Sequence, residues 1–309
     1  MKTAEFVTPK HPDKICDRIS DSILNECLKQ DKKSRVAVET MGGHGKIYIT
    51  GELTTDAVID YKGIADSIIS GYDLEVNITK QSNFIKKGVD DGGAGDQGIM
   101  IGYACNDNEE YLPQEYYLAR HLAKYLYKTF PVDGKTQITL DGQNIIKIVA
   151  SFLGSTKGQL KKQIEKWGYY NGAKIYANPA GEWHVGGLEA DAGLTGRKII
   201  VDNYGPRIPV GGGAFSGKDP SKVDRSGAYI ARELAVSLLK EKDAKEVRVE
   251  LAYAIGVKQP VMAVAFIEGK QIQINKDLSY KTISDNLNLY DIDYSEICKW
   301  GHYANEYIK

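Results

Sequence analysis

Six cations, Arg197, Lys198, Arg207, Lys218, Lys222 and Arg225, crowd into residues 193–225, GLTGRKIIVDNYGPRIPVGGGAFSGKDPSKVDR, against only Asp202, Asp219 and Asp224. Fixed cations form charge-assisted bonds to phosphoryl oxygens, and glycines let backbone approach them closely, so this composition suits a polyphosphate. The competing reading is a solvated loop with scattered charges. Residues 212–218 fit the phosphate-cradling pattern GxxxxGK, but Asp219 stands where a hydroxyl would meet magnesium, Pro220 follows, and no buried strand runs into the loop. The P-loop reading fails on that context, and Lys218 is retained as a phosphate contact.

The other chemical candidates have structural alternatives. Asp13 falls in the first turn of a predicted helix, where the dipole favours a carboxylate whatever its function. Ser221-Lys222-Val223-Asp224 matches a helix capping box, in which the acid serves the backbone. His11 precedes a helix and reads as a cap or surface residue. GAGDQG, from Gly93 to Gly98, is an acid-bearing turn. There is no serine or cysteine nucleophile motif and no HExxH or tight metal cluster, which argues against covalent or zinc chemistry.

The elements that must position these residues repeat. A helix begins at Pro12, carries Ile15, Ile19, Ile23 and Cys27 every four residues, and is expected to end near Gln30. A hairpin follows over 35–40 and 46–53, then a helix over 61–70 and a strand over 74–79. The order recurs as a helix over 114–129, a hairpin over 136–152, a helix carrying Leu160, Ile164 and Trp167, and a strand over 174–177. It recurs again as a helix over 222–240, strands over 246–255 and 260–268, and a helix near 282–289. The expectation is an α+β fold of three units, each a small, mostly antiparallel sheet covered by helices. The long irregular stretches 81–98 and 182–217 hold many of the glycines, and such loops more often carry function than connect elements.

Composition sets the outer bounds. At 309 residues the chain exceeds one core of about 100–200 residues. With 40 basic and 41 acidic residues it has no bulk field for nucleic acid or an anionic membrane. Four cysteines without a CxxC pair imply a reducing compartment, and no apolar run approaches a spanning helix. The sequence therefore reads as cytoplasmic.

In their order, His11-Pro12-Asp13-Lys14, the strand around Val38-Glu39-Thr40, Gly51-Glu52-Leu53-Thr54-Thr55, Lys80-Gln81-Ser82, GAGDQG, 193–202 and 211–226 resemble the S-adenosylmethionine synthetases, or methionine adenosyltransferases, from about Glu5 to His302. The resemblance implies three βαββαβ domains related by pseudo-threefold symmetry, at 1–82, 93–183 (shortened) and 184–309 (with a shortened tail). It implies a homodimer or dimer of dimers with active sites between subunits. The reaction it implies is attack of the methionine sulfur on C5′ of ATP, displacing tripolyphosphate that is hydrolysed to pyrophosphate and phosphate. A thioether needs no base, so the protein's work is to stabilise a departing polyanion.

By motif, the resemblance implies that His11, Lys135, Arg197, Lys218 and Lys222 are catalytic. Asp133, Trp183 and Lys198 join them around ATP, with Trp183 where the family usually places a phenylalanine against adenine. Glu52, Gln81, Asp96 and Asp191 are the implied methionine contacts, Asp96 matching a methionine- or adenosine-side carboxylate. Asp13 and Asp224 would hold Mg2+, two ions per site, and Glu39 a K+, with Glu5 a further polar residue nearby. Thr8-Pro9-Lys10 replaces the usual Ser-Glu-Gly before HPDK, which implies altered access, and the gating loop between Gln81 and Asp96 looks short. The rival readings are another ATP-dependent phosphotransferase, for which no substrate-activating base is found, and an inactive ATP-binding homologue.

Overall fold

The computed structural model describes residues 1–81 and 92–308. The gating stretch expected after Gln81 falls mostly outside the described residues.

Strand β1 (Lys2–Val7) leads into helix α1 (Pro12–Gln30), whose Ile15, Ile19, Ile23 and Cys27 stripe is buried as its four-residue spacing predicts. Each such isoleucine removed from water contributes about 1.5–3 kcal/mol. The first hairpin is β2 (Arg35–Gly43) and β3 (Lys46–Thr54), turning at His44 and Gly45, both with positive φ. Helix α2 (Tyr61–Ile68) and strand β4 (Asp73–Thr79) complete this run.

After β5 (Gly98–Cys105) the pattern returns as α3 (Gln114–Tyr127), β6 (Gly134–Asp141), β7 (Asn144–Phe152), α4 (Lys157–Glu165) and β8 (Lys174–Ala177). Thr156 and Gln159 close a capping box at the start of α4. The last third contains β9 (Gly193–Leu194), α5 (Ile199–Asp202), α6 (Val223–Glu241), β10 (Glu246–Tyr253), β11 (Met262–Ile267), β12 (Lys270–Gln273), α7 (Tyr280–Asn286) and α8 (Tyr294–Ile297).

Among the described residues the strands form three four-stranded sheets, β4-β3-β2-β9, β1-β6-β7-β8 and β12-β11-β10-β5. Each hairpin thus gains an edge strand from a distant stretch of chain: β9 joins the first, β1 the second and β5 the third. Helix α1 packs on β2 and β9, α3 on β1 and β6, and α6 on β5 and β10. This is the expected α+β architecture of three mostly antiparallel sheets backed by helices.

Two details differ from the sequence reading. Strands β1, β5 and β9 were not anticipated: β9 has two residues, and β5 is buried along most of its length, so neither alternates visibly. The third unit closes with β12 antiparallel to β11 and ahead of α7, whereas β4 and β8 run parallel to their neighbours. Among the described residues all four cysteines are free and buried, and no helix is long and apolar enough to cross a membrane.

Candidate active site

Helix α1 has a second face that the isoleucine stripe does not use. Asp13, Asp17 and Asp21 stand four residues apart, all at most 2% exposed. Each accepts a backbone N–H from a glycine-rich loop: Asp13 from Leu194 at 3.0 Å, Asp17 from Gly196 at 2.8 Å, and Asp21 from Gly217 at 2.8 Å. A carboxylate ladder on one helix therefore fixes both basic loops. Ser20, between its rungs, adds hydroxyl contacts to Thr40 and Thr195 at 2.9 and 2.8 Å.

Buried cations balance the ladder. The Lys14 amine sits 2.8 Å from Asp17 and 2.6 Å from Asp202, and these anions hold its pKa well above the usual lysine range against the opposing effect of burial. Arg225 bonds Asp21, the Phe215 carbonyl and Tyr229, and lies 4.2 Å over the Tyr294 ring. A charged pair this deep must be closed on all sides, because an unpartnered buried ion costs several kcal/mol.

Both loops dock on one edge of β2. Strand β9 pairs with Met41 and Gly42, while Lys218 bridges Ala37. Four residues of strand separate these contacts, about 13 Å. Gly217 has φ +79°, and a Cβ there would come within 1.9 Å of the Val38 carbonyl, so only glycine lets this loop lie against the strand.

The first cluster gathers at the start of α1. His11 is the N-cap, its Nδ1 accepting the Asp13 N–H at 3.2 Å, and it is 3% exposed. The cap reading of His11 holds, but the side chain is buried. Burial, then Lys198 and Lys135, push its pKa down to about 3 against the pull of Asp13. The ring is neutral near pH 7, and with Nδ1 accepting, its proton belongs on Nε2, leaving a donor. Asp13 is gripped by Lys198 at 2.5 Å and faced by Arg197 at 3.7 Å. The Lys198 bond and the Leu194 N–H hold its carboxyl below the usual range although burial opposes them.

Asp133 and Lys135, at the head of β6, close this cluster. Asp133 accepts the Gly187 N–H at 2.9 Å with one oxygen; the other is buried without a partner among the described residues. Burial raises its pKa, and Asp191 adds to the rise. Trp183 lies beside Gly186 and Leu153, its Nε1 likewise buried without a partner among the described residues. Two buried polar atoms left without partners in this cluster are what a site prepared for a polar ligand would leave. Lys135, Asp191 and Arg197 are exposed.

The second cluster is apart from the first. Lys218 bonds Asp224 at 2.6 Å, and Lys222 bonds Asp219 at 2.5 Å. The capping-box reading of Asp224 is therefore corrected: the N-cap of α6 is Lys222, no side chain caps the helix, and Asp224 serves a lysine. Its carboxylate occupies the space a Gly213 side chain would need, with Oδ1 2.2 Å from that Cβ position. Gly98, at the end of GAGDQG, faces the same oxygen at 3.5 Å, so both glycine-rich turns fold over Asp224.

The remaining candidates belong to neither set of ion pairs. Asp96 is exposed in its turn, and Glu39 and Glu52 are exposed on β2 and β3. Gln81 lines a ≈540 Å³ recess with Arg35, Thr54, Lys80 and Tyr280. Glu5 is exposed on β1, opposite Gln137. Among the described residues no three His, Cys, Asp or Glu side chains form a cage. Asp13 and Asp224 offer hard oxygens singly beside cations, the donor set of an ion shared between one or two carboxylates and substrate phosphates.

Sequence reasoning missed Asp17, Asp21 and Lys14 as the foundation of the site. The signal was present in the four-residue spacing of Asp13, Asp17 and Asp21.

Comparison with known proteins addresses the whole chain. The S-adenosylmethionine synthetase N-terminal, central and C-terminal domain families match residues 1–90, 91–167 and 185–309. An S-adenosylmethionine synthase of Brachyspira hyodysenteriae is 38% identical over 98% of this chain and 93% of its own length. One from Prochlorococcus marinus is 40% identical over 93% and 85%. The structure of an unusual S-adenosylmethionine synthetase from Campylobacter jejuni superposes with a TM-score of 0.89 at 31% identity, covering 99% of this chain and 95% of that one.

Proposed function

The chain belongs to the S-adenosylmethionine synthetase family, and on that premise we propose which of its side chains perform the reaction. The activity is methionine adenosyltransfer: the methionine sulfur attacks C5′ of ATP, and the displaced tripolyphosphate is hydrolysed to pyrophosphate and phosphate. Members of the family are generally metal-dependent.

The observation that carries the assignment is the first cluster, where a neutral imidazole donor, two exposed cations and two orphaned buried polar atoms converge. His11 Nε2–H donates to an oxygen beside the breaking bond. Lys135 meets the charge that develops on the leaving oxygen, and Arg197 and Lys198 hold the phosphate chain. Asp133 and Trp183 take the nucleoside. Lys218 and Lys222 clamp the distal phosphates, and Glu52, Gln81, Asp96 and Asp191 orient methionine. Asp13 and Asp224 would hold Mg2+, which compensates polyphosphate charge when bound, and Glu39 would ligate K+.

One protomer separates the two clusters along β2, and a homodimer with active sites between subunits would reunite them. The outer sheet faces support this: Met41 and Tyr48 form an exposed cross-strand pair at 49% and 38%, and Ile99 and Met262, at 53% and 38%, flank Ala252. Exposed apolar pairs on a sheet face favour a partner. In domain terms we place the boundaries at 1–82, 93–183 and 184–309, with β1, β5 and β9 crossing between sheets.

The test is subunit complementation. Lys135→Met and Lys218→Met proteins, each inactive alone, are mixed, reassembled and supplied with ATP, methionine, Mg2+ and K+, and S-adenosylmethionine is quantified by mass spectrometry. Shared sites would restore about a quarter of wild-type activity, because half the dimers are mixed and half their sites are intact. No recovery in demonstrated mixed dimers would refute the shared site.

A further inference from the structure

A recess of ≈590 Å³ opens where the start of α1, the last turn of α3 and the turn Cys298–Trp300 meet. None of its lining residues belongs to either cluster described above. Lys10, Arg18, Lys124, Lys128 and Lys299 face it, with Glu296 the only carboxylate on its wall among the described residues. Glu296 is already taken by Lys299. Lys10, Arg18, Lys124 and Lys128 have no ion-pair partner among the described residues, and the Arg18 Nε is buried without a hydrogen bond. The Lys124 amine lies 6.0 Å from the Trp300 ring.

We propose that this recess is a binding site for a polyphosphate anion, separate from the catalytic clusters and formed by Lys10, Arg18, Lys124 and Lys128. Chains ordinarily disperse like charges or pair them, since half-buried cations that face one another destabilise the fold. The C-terminal dipole of α3 stabilises Lys124 and Lys128, but Lys10, just before α1, and Arg18, within α1, gain nothing from it. Four open cations around a concave wall exceed what a single phosphate would neutralise, and the volume lies in the range of small-molecule sites. Lys10 is also the cation that displaces the family's usual glycine before HPDK, a departure that the catalytic reading leaves unused.

The titration of these groups agrees with the geometry. Burial, then Arg18 and Lys299, lower the Lys10 pKa. Burial, then Arg120, push Lys124 down to about 8, with Glu110 opposing. An anion among them would reverse both shifts.

Isothermal titration of the full enzyme with pyrophosphate, without magnesium and at low salt, tests this. Lys10→Gln/Lys124→Gln protein is expected to bind one fewer equivalent per chain than wild type, while kcat and KM for ATP and methionine stay within about twofold. Lys128→Gln, at an exposed position, weakens the same event and serves if the double variant does not fold. Parallel titrations with tripolyphosphate and ATP separate the sources: tighter binding of the inorganic anions marks a free polyphosphate site, and tighter binding of ATP marks a nucleotide's phosphate tail. Equal stoichiometry and affinity in wild type and both variants would overturn the proposal, as would loss of catalytic activity in parallel with binding.

Discussion

Beneath the loops, Lys14 lies between Asp17 and Asp202 and Arg225 grips Asp21, every member at most 3% exposed; above them, Lys135, Arg197 and Asp191 face solvent. Both layers use lysines, arginines and aspartates, and both attach to α1 or to the loops it holds. They differ in completeness. In the lower layer every charge has a charged partner within the chain, although Asp21 Oδ2 makes no hydrogen bond among the described residues, whereas in the upper layer Lys135 has no ion pair among them, Arg197 reaches Asp13 only at 3.7 Å, and Asp133 Oδ1 and Trp183 Nε1 lack partners among the described residues. A charge that holds the fold must be closed, and a charge that meets a departing polyphosphate must be available for it.

The comparison breaks first if the lower layer is not structural. Lys14→Met leaves Asp17 and Asp202 facing each other without a cation in a dry interior. The expected loss is about 3–5 kcal/mol of stability, read as a lower midpoint in urea unfolding. Burial already raises the Asp202 pKa to about 7, so this carboxyl would take up a proton readily once Lys14 is gone. Lys14→Met/Asp202→Asn should accordingly recover part of the loss. A single variant as stable as wild type would mean that the ladder does not support the loops.

The upper layer is tested by the opposite signature. Lys135→Met should lower kcat by about 10²–10³ while leaving the unfolding midpoint and ATP affinity nearly unchanged, because the contact matters mainly where negative charge develops. Rapid-quench measurement of adenosyl transfer beside equilibrium ATP binding separates the two quantities. Equal losses in both would make Lys135 a substrate-binding residue and erase the distinction between the layers on its catalytic side.

How much of this was legible depended on whether a residue's role followed from its neighbours in sequence. Helix α1 and the three hairpins were readable because Ile15, Ile19 and Ile23, or the alternation in β2, repeat a local period. Strands β1, β5 and β9 were not, because each pairs with a hairpin far away and carries no period of its own. In the site, the crowding of cations in 193–225 was legible from composition and the motif resemblance supplied roles for His11 and Asp13, but neither divided these residues into two clusters. The ladder escaped because a polar residue on a helix ordinarily means a solvated face; only the folded loops, with their glycine N–H groups, turn Asp17 and Asp21 inward. The Asp224 capping box failed for a related reason: the backbone offers a weak neutral donor, and Lys218 offers a charged one.

The smallest effect supplies the control that sharpens the comparison. Lys62 and Asp66 on α2 form an i,i+4 pair like those a surface helix commonly carries, with side chains 53% and 39% exposed. Water screens both ions and their side chains lose entropy on pairing, so Lys62→Ala should cost only about 0.3–0.5 kcal/mol and shrink further in high salt. Measured beside Lys14→Met in the same urea series, it separates the value of a salt bridge as such from the value of closing one inside the protein. If the two variants lost similar stability, burial would not be what gives the lower layer its strength, and the Gly196 and Gly217 N–H bonds to Asp17 and Asp21 would have to hold the loops without it.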